Sequence, residues 1–148
     1  MEAVIFCGIQ ASGKSTFFKE KFFKTHVRIS MDLLRTRNRE RLFLEVCLKT
    51  QQPFVVENTN PTRLEREKYI SMSKERNYKV IGYYFKTNLK DALERNNCRD
   101  GKECVPEVGI KATLKKFELP LLDEGFDELY CVEIINGEFI IKDWSDEV

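Results

Sequence analysis

The chain has 148 residues, the size of one ordinary globular domain, and its 25 lysines and arginines nearly cancel its 24 aspartates and glutamates. That balance excludes a long electrostatic track for nucleic acid or an acidic membrane surface, so any contact with a polyanion is expected to be local. No apolar run approaches the roughly 20 residues of a membrane helix and no signal peptide precedes the first strand, which predicts a single cytoplasmic domain (residues 1–148) with no membrane partner. Cys7, Cys47, Cys98, Cys104 and Cys131 are odd in number and lack C-x-x-C spacing, so buried free thiols are expected rather than a zinc site or a disulfide framework.

Residues 3–7 form an apolar run that reads as a buried strand and lead into Gly8-Ile9-Gln10-Ala11-Ser12-Gly13-Lys14-Ser15. This octapeptide matches the phosphate-binding P-loop. Its place between a strand and a helical stretch over 17–23 makes an ordinary glycine turn the poorer explanation. The glycines let successive backbone N–H groups face phosphates, Lys14 is expected to reach the β and γ oxygens, and the Ser15 hydroxyl to ligate Mg²⁺. The expected nucleotide-binding set is Gly8, Ala11, Ser12, Gly13, Lys14, Ser15 and Thr16, at the positive end of the helix.

His26, the only histidine, reads as an ordinary surface or sheet-edge residue before the next apolar run at 27–29. Ser30-Met31-Asp32-Leu33-Leu34-Arg35 follows. On a helical turn Asp32 and Arg35 face the same way, so the carboxylate can take a proton from an attacking hydroxyl while the guanidinium grips an anionic acceptor. The plain alternative is helix-start charge for Asp32 and solvation for Arg35. Arg35, Arg37, Arg39 and Arg41 offer a local basic patch, although a solvated charge run is the simpler reading of Arg39 and Arg41. One short helix is expected before the third strand, and Phe43 and Phe54 read as core.

The run at 54–56 leads into Glu57-Asn58-Thr59-Asn60, a polar cluster suited to substrate or to a metal-bound water, with Asn60 expected to cap a helix over 61–76. A strand at 80–85 precedes a helix over 89–95 capped by Asn88 with Asp91. Arg95 and Arg99 then open a lid over 95–106, poised to neutralise a transferring phosphoryl group unless they are merely a solvated face. A strand at 129–135 and the Asn136-Gly137 turn predict a terminal antiparallel hairpin. The alternation predicts a three-layer α/β fold with a mainly parallel sheet, whose chemistry gathers at the C-terminal ends of its strands.

Several of these features, in this order and spacing, resemble the kinase domain of the polynucleotide 5′-hydroxyl kinases, P-loop enzymes of nucleic-acid end repair. The resemblance rests on the P-loop with Phe17, Asp32-x-x-Arg35, Val55-Val56-Glu57-Asn58-Thr59-Asn60-Pro61, Arg95-Asn96-x-x-Arg99, Val105-Pro106, and Phe117 through Pro120 to Glu124-Gly125-Phe126. Only the P-loop is generic. The resemblance implies ATP and Mg²⁺ as cofactors and transfer of the γ-phosphoryl group to a 5′-OH end of DNA or RNA. It implies Lys14, Asp32 and Arg99 as catalytic residues, with Asp32 the general base. Arg95 and Arg99 would lie at the ATP phosphates, and Arg35, Thr59 and Asn60 with Asp32 at the acceptor. Glu57 departs from the family's usual aspartate and is one methylene longer. The competing readings are a small-molecule kinase of the same fold and a nucleotide-dependent switch; the chain lacks the Asn-Lys-x-Asp motif of a guanine-nucleotide switch. No phosphatase or ligase domain has room, so a kinase working alone or with separate repair proteins is expected.

Overall fold

The computed structural model describes residues 1–101 and 104–145. Strands β1 (Glu2–Cys7), β2 (Val27–Ile29), β3 (Phe54–Glu57), β4 (Lys79–Phe85) and β5 (Glu128–Ile135) run parallel, and β6 (Glu138–Asp143) returns antiparallel to β5. Their spatial order is β2-β3-β1-β4-β5-β6. Between them lie α1 (Lys14–Lys21), α2 (Met31–Leu34), α3 (Arg37–Thr50), α4 (Arg63–Glu75), α5 (Leu89–Asn97), α6 (Glu107–Lys116) and a 3₁₀ turn at Leu122–Glu124. The β5–β6 turn is the expected one: Asn136 and Gly137 both take positive φ, 53° and 78°, as a two-residue hairpin with strand-matching twist requires.

Central strand β1 shows why the sheet is covered on both faces. Its side chains alternate: Ala3, Ile5 and Cys7 pack with Leu44, Cys47 and Leu48 of α3 and Tyr69 and Ile70 of α4, while Val4 and Phe6 pack with Phe17, Phe18 and Phe22. Edge-to-face contacts of Phe17 with Phe6 and Phe85, at 5.7 and 5.3 Å, pin α1 to its face of the sheet. A third cluster of Ile9, Ala11, Ala92 and Ile110 joins the P-loop to α5 and α6.

Several local expectations are corrected. Helix α1 stops at Lys21, because Phe22 turns its ring into the core and leaves Phe23 outside the helix and exposed. Two helices rather than one occupy the stretch before β3. They are divided at Arg35, whose φ of 74° sits in a γ-turn closed by Thr36 N–H donating to Leu34 O at 2.9 Å. Helix α4 starts at Arg63, not Pro61: Thr62 caps it by accepting from Glu65 N–H, and Glu65 answers with its carboxylate on Thr62 N–H. Asn88 caps α5 as expected, and that helix runs on to Asn97. Phe54 is core, but Phe43 is 50% exposed on the outer face of α3. His26 sits at the sheet edge, hydrogen-bonded to Glu2 and Thr25. All five cysteines are free; Cys7, Cys47 and Cys131 are buried, whereas Cys98 and Cys104 are exposed. No helix among the described residues is long and apolar enough to cross a membrane.

Candidate active site

Loops leaving the C-terminal ends of β1, β2, β3 and β4 meet at one edge of the sheet, and every candidate side chain up to Thr87 lies on one of them or on the helix it starts. The P-loop follows β1. A Cβ on Gly8 would lie 2.8 Å from both Phe85 Cβ and Ser12 Oγ, so only glycine lets the chain turn there. Ala11 and Gly13 take positive φ, 60° and 100°, and curl the backbone around Lys14. The Lys14 ammonium folds into this cradle, donating to Gly8 O at 2.9 Å, Ile9 O at 2.7 Å and Ser12 Oγ at 3.3 Å. Burial lowers its pKa to about 8; Glu57 and Asp32 oppose that pull and the Arg99 guanidinium adds to it. Three charged groups from three other segments thus lie within electrostatic reach of Lys14. Ser15 and Thr16 occupy the first turn of α1, Ser15 half-buried and Thr16 exposed.

The loop after β3 braces the P-loop. Gly8 N–H donates to Thr59 O at 3.0 Å, and buried Asn60 donates from Nδ2 to Phe6 O at 2.7 Å. Asn60 is not a helix cap; its φ of 43° and its buried amide hold the loop against β1. Glu57, 4% exposed, accepts from Arg28 Nε and the guanidinium terminus, both at 3.2 Å. This two-point contact ties β2 to β3.

Asp32 and Arg35 are brought to the same edge, but not by one helical face, because Arg35 lies beyond the end of α2. Both are exposed, and neither side chain makes a hydrogen bond or ion pair among the described residues. Arg39 is likewise exposed and without such a contact. Arg37 and Arg41 are engaged, with Glu40 and Tyr69 and with Glu45 and Asn38 respectively.

Arg95 projects from α5 back to the P-loop, donating to Ala11 O at 3.0 Å and to Thr87 Oγ1 at 3.1 Å. Arg99 is half-buried. Asn96 clips the following loop by exchanging two hydrogen bonds with the backbone of Val105, at 2.7 and 3.0 Å. Of the lid expected over 95–106, residues 102–103 lie outside the described residues.

Mg²⁺ suits this donor set. Among the described residues no three His, Cys, Asp or Glu side chains gather into a metal cage, and a hard cation that keeps its waters and binds substrate phosphates needs only one or two protein oxygens. The Ser15 hydroxyl and the carboxylates of Asp32 and Glu57 are the oxygens that would hold it.

A family model described as an AAA domain matches residues 4–120. The chain belongs to this AAA-domain family. The matched span of the AAA domain takes in every candidate site residue from Gly8 to Arg99 and leaves out the β5–β6 hairpin. The domain is 26% identical over 149 aligned residues to a bifunctional polynucleotide phosphatase/kinase of Schizosaccharomyces pombe (strain 972 / ATCC 24843), covering 98% of this chain and 36% of the relative. A protein of Acanthamoeba polyphaga mimivirus named for the same two activities is 29% identical over 149 residues, covering 96% of this chain and 35% of its own length. The chain spans about a third of the length of these relatives. In fold, the AAA domain resembles a gluconokinase from Sinorhizobium meliloti 1021, with a TM-score of 0.63 and 18% identity over 89% of this chain and 82% of that one. The three-layer α/β fold with a mainly parallel sheet and a terminal antiparallel hairpin, expected from the strand and helix pattern, is the fold observed.

Sequence reasoning gave no role to Arg28, Glu40, Arg66, Tyr69 or Glu124, and left Asn58 unassigned within its cluster. One signal was present. Glu40 stands on the apolar stripe of α3 with Leu44, Cys47 and Leu48, and Arg66 on that of α4 with Tyr69, Ile70 and Ser73. A charged residue on a buried stripe requires a buried partner.

Proposed function

We propose that the chain is an ATP-dependent polynucleotide 5′-hydroxyl kinase, transferring the γ-phosphoryl group of ATP to a 5′-OH end of DNA or RNA. The observation that carries this reading is Asp32: an exposed carboxylate, without a hydrogen-bonding partner, at the mouth of the P-loop edge and within electrostatic reach of Lys14. The two relatives named for polynucleotide phosphatase/kinase activities support it, because a P-loop belongs to the kinase half of that name.

In this reading ATP displaces the backbone carbonyls that now hold Lys14, and the ammonium moves to the β and γ oxygens. Backbone N–H groups from Ala11 to Thr16 line the phosphates at the start of α1. Ser15 would hold Mg²⁺, which would supply positive charge to offset the negative charge developing on the transferring group. The 5′-OH approaches from the exposed side of α2 and gives its proton to Asp32 as its oxygen bonds to the γ phosphorus and the bond to ADP breaks. Arg95, tethered to Ala11 and Thr87, and Arg99 add fixed positive charge, so the protein contributes mainly positioning and electrostatics.

Of the arginines from Arg35 to Arg41, Arg35 and Arg39 are the two without a side-chain contact among the described residues and hold the acceptor phosphates, with Thr59 on the acceptor side. Asn60 serves as the brace of that loop. The approach to Asp32 is open, with Asp32, Leu33 and Arg35 all exposed, which suits a chain end better than a metabolite enclosed by a pocket. The test is to offer γ-labelled ATP and Mg²⁺ with matched 5′-OH and 5′-phosphate DNA and RNA oligonucleotides, alongside gluconate and free nucleosides. Label confined to 5′-OH ends is expected; label on a small molecule alone would overturn the reading.

A further inference from the structure

The carboxylate on which the proposed reaction depends rides on α2, a helix of four residues. So short a helix has no cooperativity of its own. The residue placed to cap it does not do so: Ser30 makes no side-chain cap, and its hydroxyl is buried without a hydrogen-bond partner. The first N–H of the helix, that of Met31, is taken instead by Asn58 Oδ1 at 2.9 Å, from the loop after β3.

Asn58 is held from behind. Its Nδ2 donates to Glu40 Oε2 at 3.0 Å and lies 3.4 Å from the Tyr69 hydroxyl. A carboxylate only accepts, so Glu40 decides which end of the amide faces it and leaves the amide oxygen for Met31. Glu40 is itself 2% exposed, an expensive place for a carboxylate without compensation. Compensation comes from the Tyr69 O–H, 3.0 Å from both oxygens, from Arg37 at 3.1 and 3.2 Å, and from Lys68 at 3.5 Å. Burial and the adjacent Glu40 carboxylate push the Tyr69 phenol well above its ordinary value, so it stays a donor. The far end of α2 is closed by the strained γ-turn at Arg35.

We propose that Asn58 is the positioning residue for Asp32, capping α2 from outside, and that Glu40 and Tyr69 exist to fix the Asn58 amide in the orientation that caps. This inference rests on Asp32 being the base. It gives the buried polar network between α3, α4 and the β3 loop a catalytic purpose: the network aims the carboxylate from behind while leaving its solvent face open for the acceptor.

The test pairs kinetics with hydrogen exchange on the full chain. Asn58→Ala should lower kcat for 5′-OH transfer by about 10- to 100-fold, the cost of a base displaced by about an ångström, with the KM for ATP unchanged. Combined with Asp32→Asn, it should slow transfer no further than Asp32→Asn alone, because both remove one function. Glu40→Gln, which keeps an acceptor for Asn58, should retain more activity than Glu40→Ala. Exchange at the amides of residues 31–34 should rise in Asn58→Ala. Losses that multiply in the double variant, or unchanged exchange at those amides, would overturn the assignment. If the parent protein phosphorylates no 5′-OH end, the proposed reaction fails, and the exchange result still decides whether Asn58 holds α2.

Discussion

The nucleotide side and the proposed acceptor side of the site are built on different principles. Lys14 finds its three partners two to six residues away, within one tight loop, and the cradle is buried. Asp32 is exposed, and the helix that presents it is fixed through Met31, Asn58, Glu40 and Tyr69, whose contacts join residues 11 to 29 positions apart. A triphosphate makes the same demands in every P-loop, so a self-contained local loop suffices. In the proposed reaction the acceptor end is particular to the enzyme, and the carboxylate assigned to it is aimed by the tertiary structure.

If that division of labour holds, damage to the two sides should read out differently. Lys14→Met should cost about 10²- to 10³-fold in transfer, the range for deleting one preorganised charge donor, and should weaken ATP binding measured by calorimetry. Arg66→Ala should act on stability rather than chemistry. It leaves Glu124, whose side chain is 3% exposed, without its bidentate partner and Asn60 O without its donor, at a cost of about 3–5 kcal/mol in chemical denaturation. Arg35→Ala and Arg39→Ala should each raise the KM for an oligonucleotide severalfold and reduce the salt dependence of its binding by about one unit of slope, with ATP affinity untouched.

A further effect is one of pH. Lys14 is held near 8 in the folded protein, against roughly 10.4 when unfolded. Between these values the unfolded chain binds more protons, so the nucleotide-free protein should become more stable as pH rises from about 8 to 10.5. The burden of the buried charge is fully present below 8. Denaturation midpoints at several pH values would show this increment, and Lys14→Met should abolish it. ATP, which favours the charged lysine, should bind less tightly as pH rises through the same window.

Legibility in the sequence followed the same line. The positions of the strands along the chain are carried by apolar runs such as residues 3–7 and 54–56, and the P-loop by its spacing, because each depends on neighbours a few residues away. Asp32 and Arg35 were recognisable as a pair, but their arrangement was not: helical spacing puts them on one face, whereas the γ-turn at Arg35 separates them. Asn60 looked like a cap because it precedes proline, yet Thr62 with Glu65 makes the stronger reciprocal cap and frees Asn60 to bind the carbonyl of Phe6. Arg28 could not be paired with Glu57 from spacing, since that contact depends on β2 lying beside β3. The misplaced charges Glu40 and Arg66 were the visible trace of networks whose partners only the fold brings together.

The most direct measurement compares the parent protein with Asp32→Asn in transfer from γ-labelled ATP to a 5′-OH oligonucleotide, with ATP affinity measured on the same samples. An unchanged ATP affinity and a transfer rate lower by roughly 10²- to 10⁴-fold would be the signature of a lost general base. Equal loss of ATP binding in a folded variant, or transfer at the parental rate, would contradict the division between a local nucleotide cradle and a remotely aimed base.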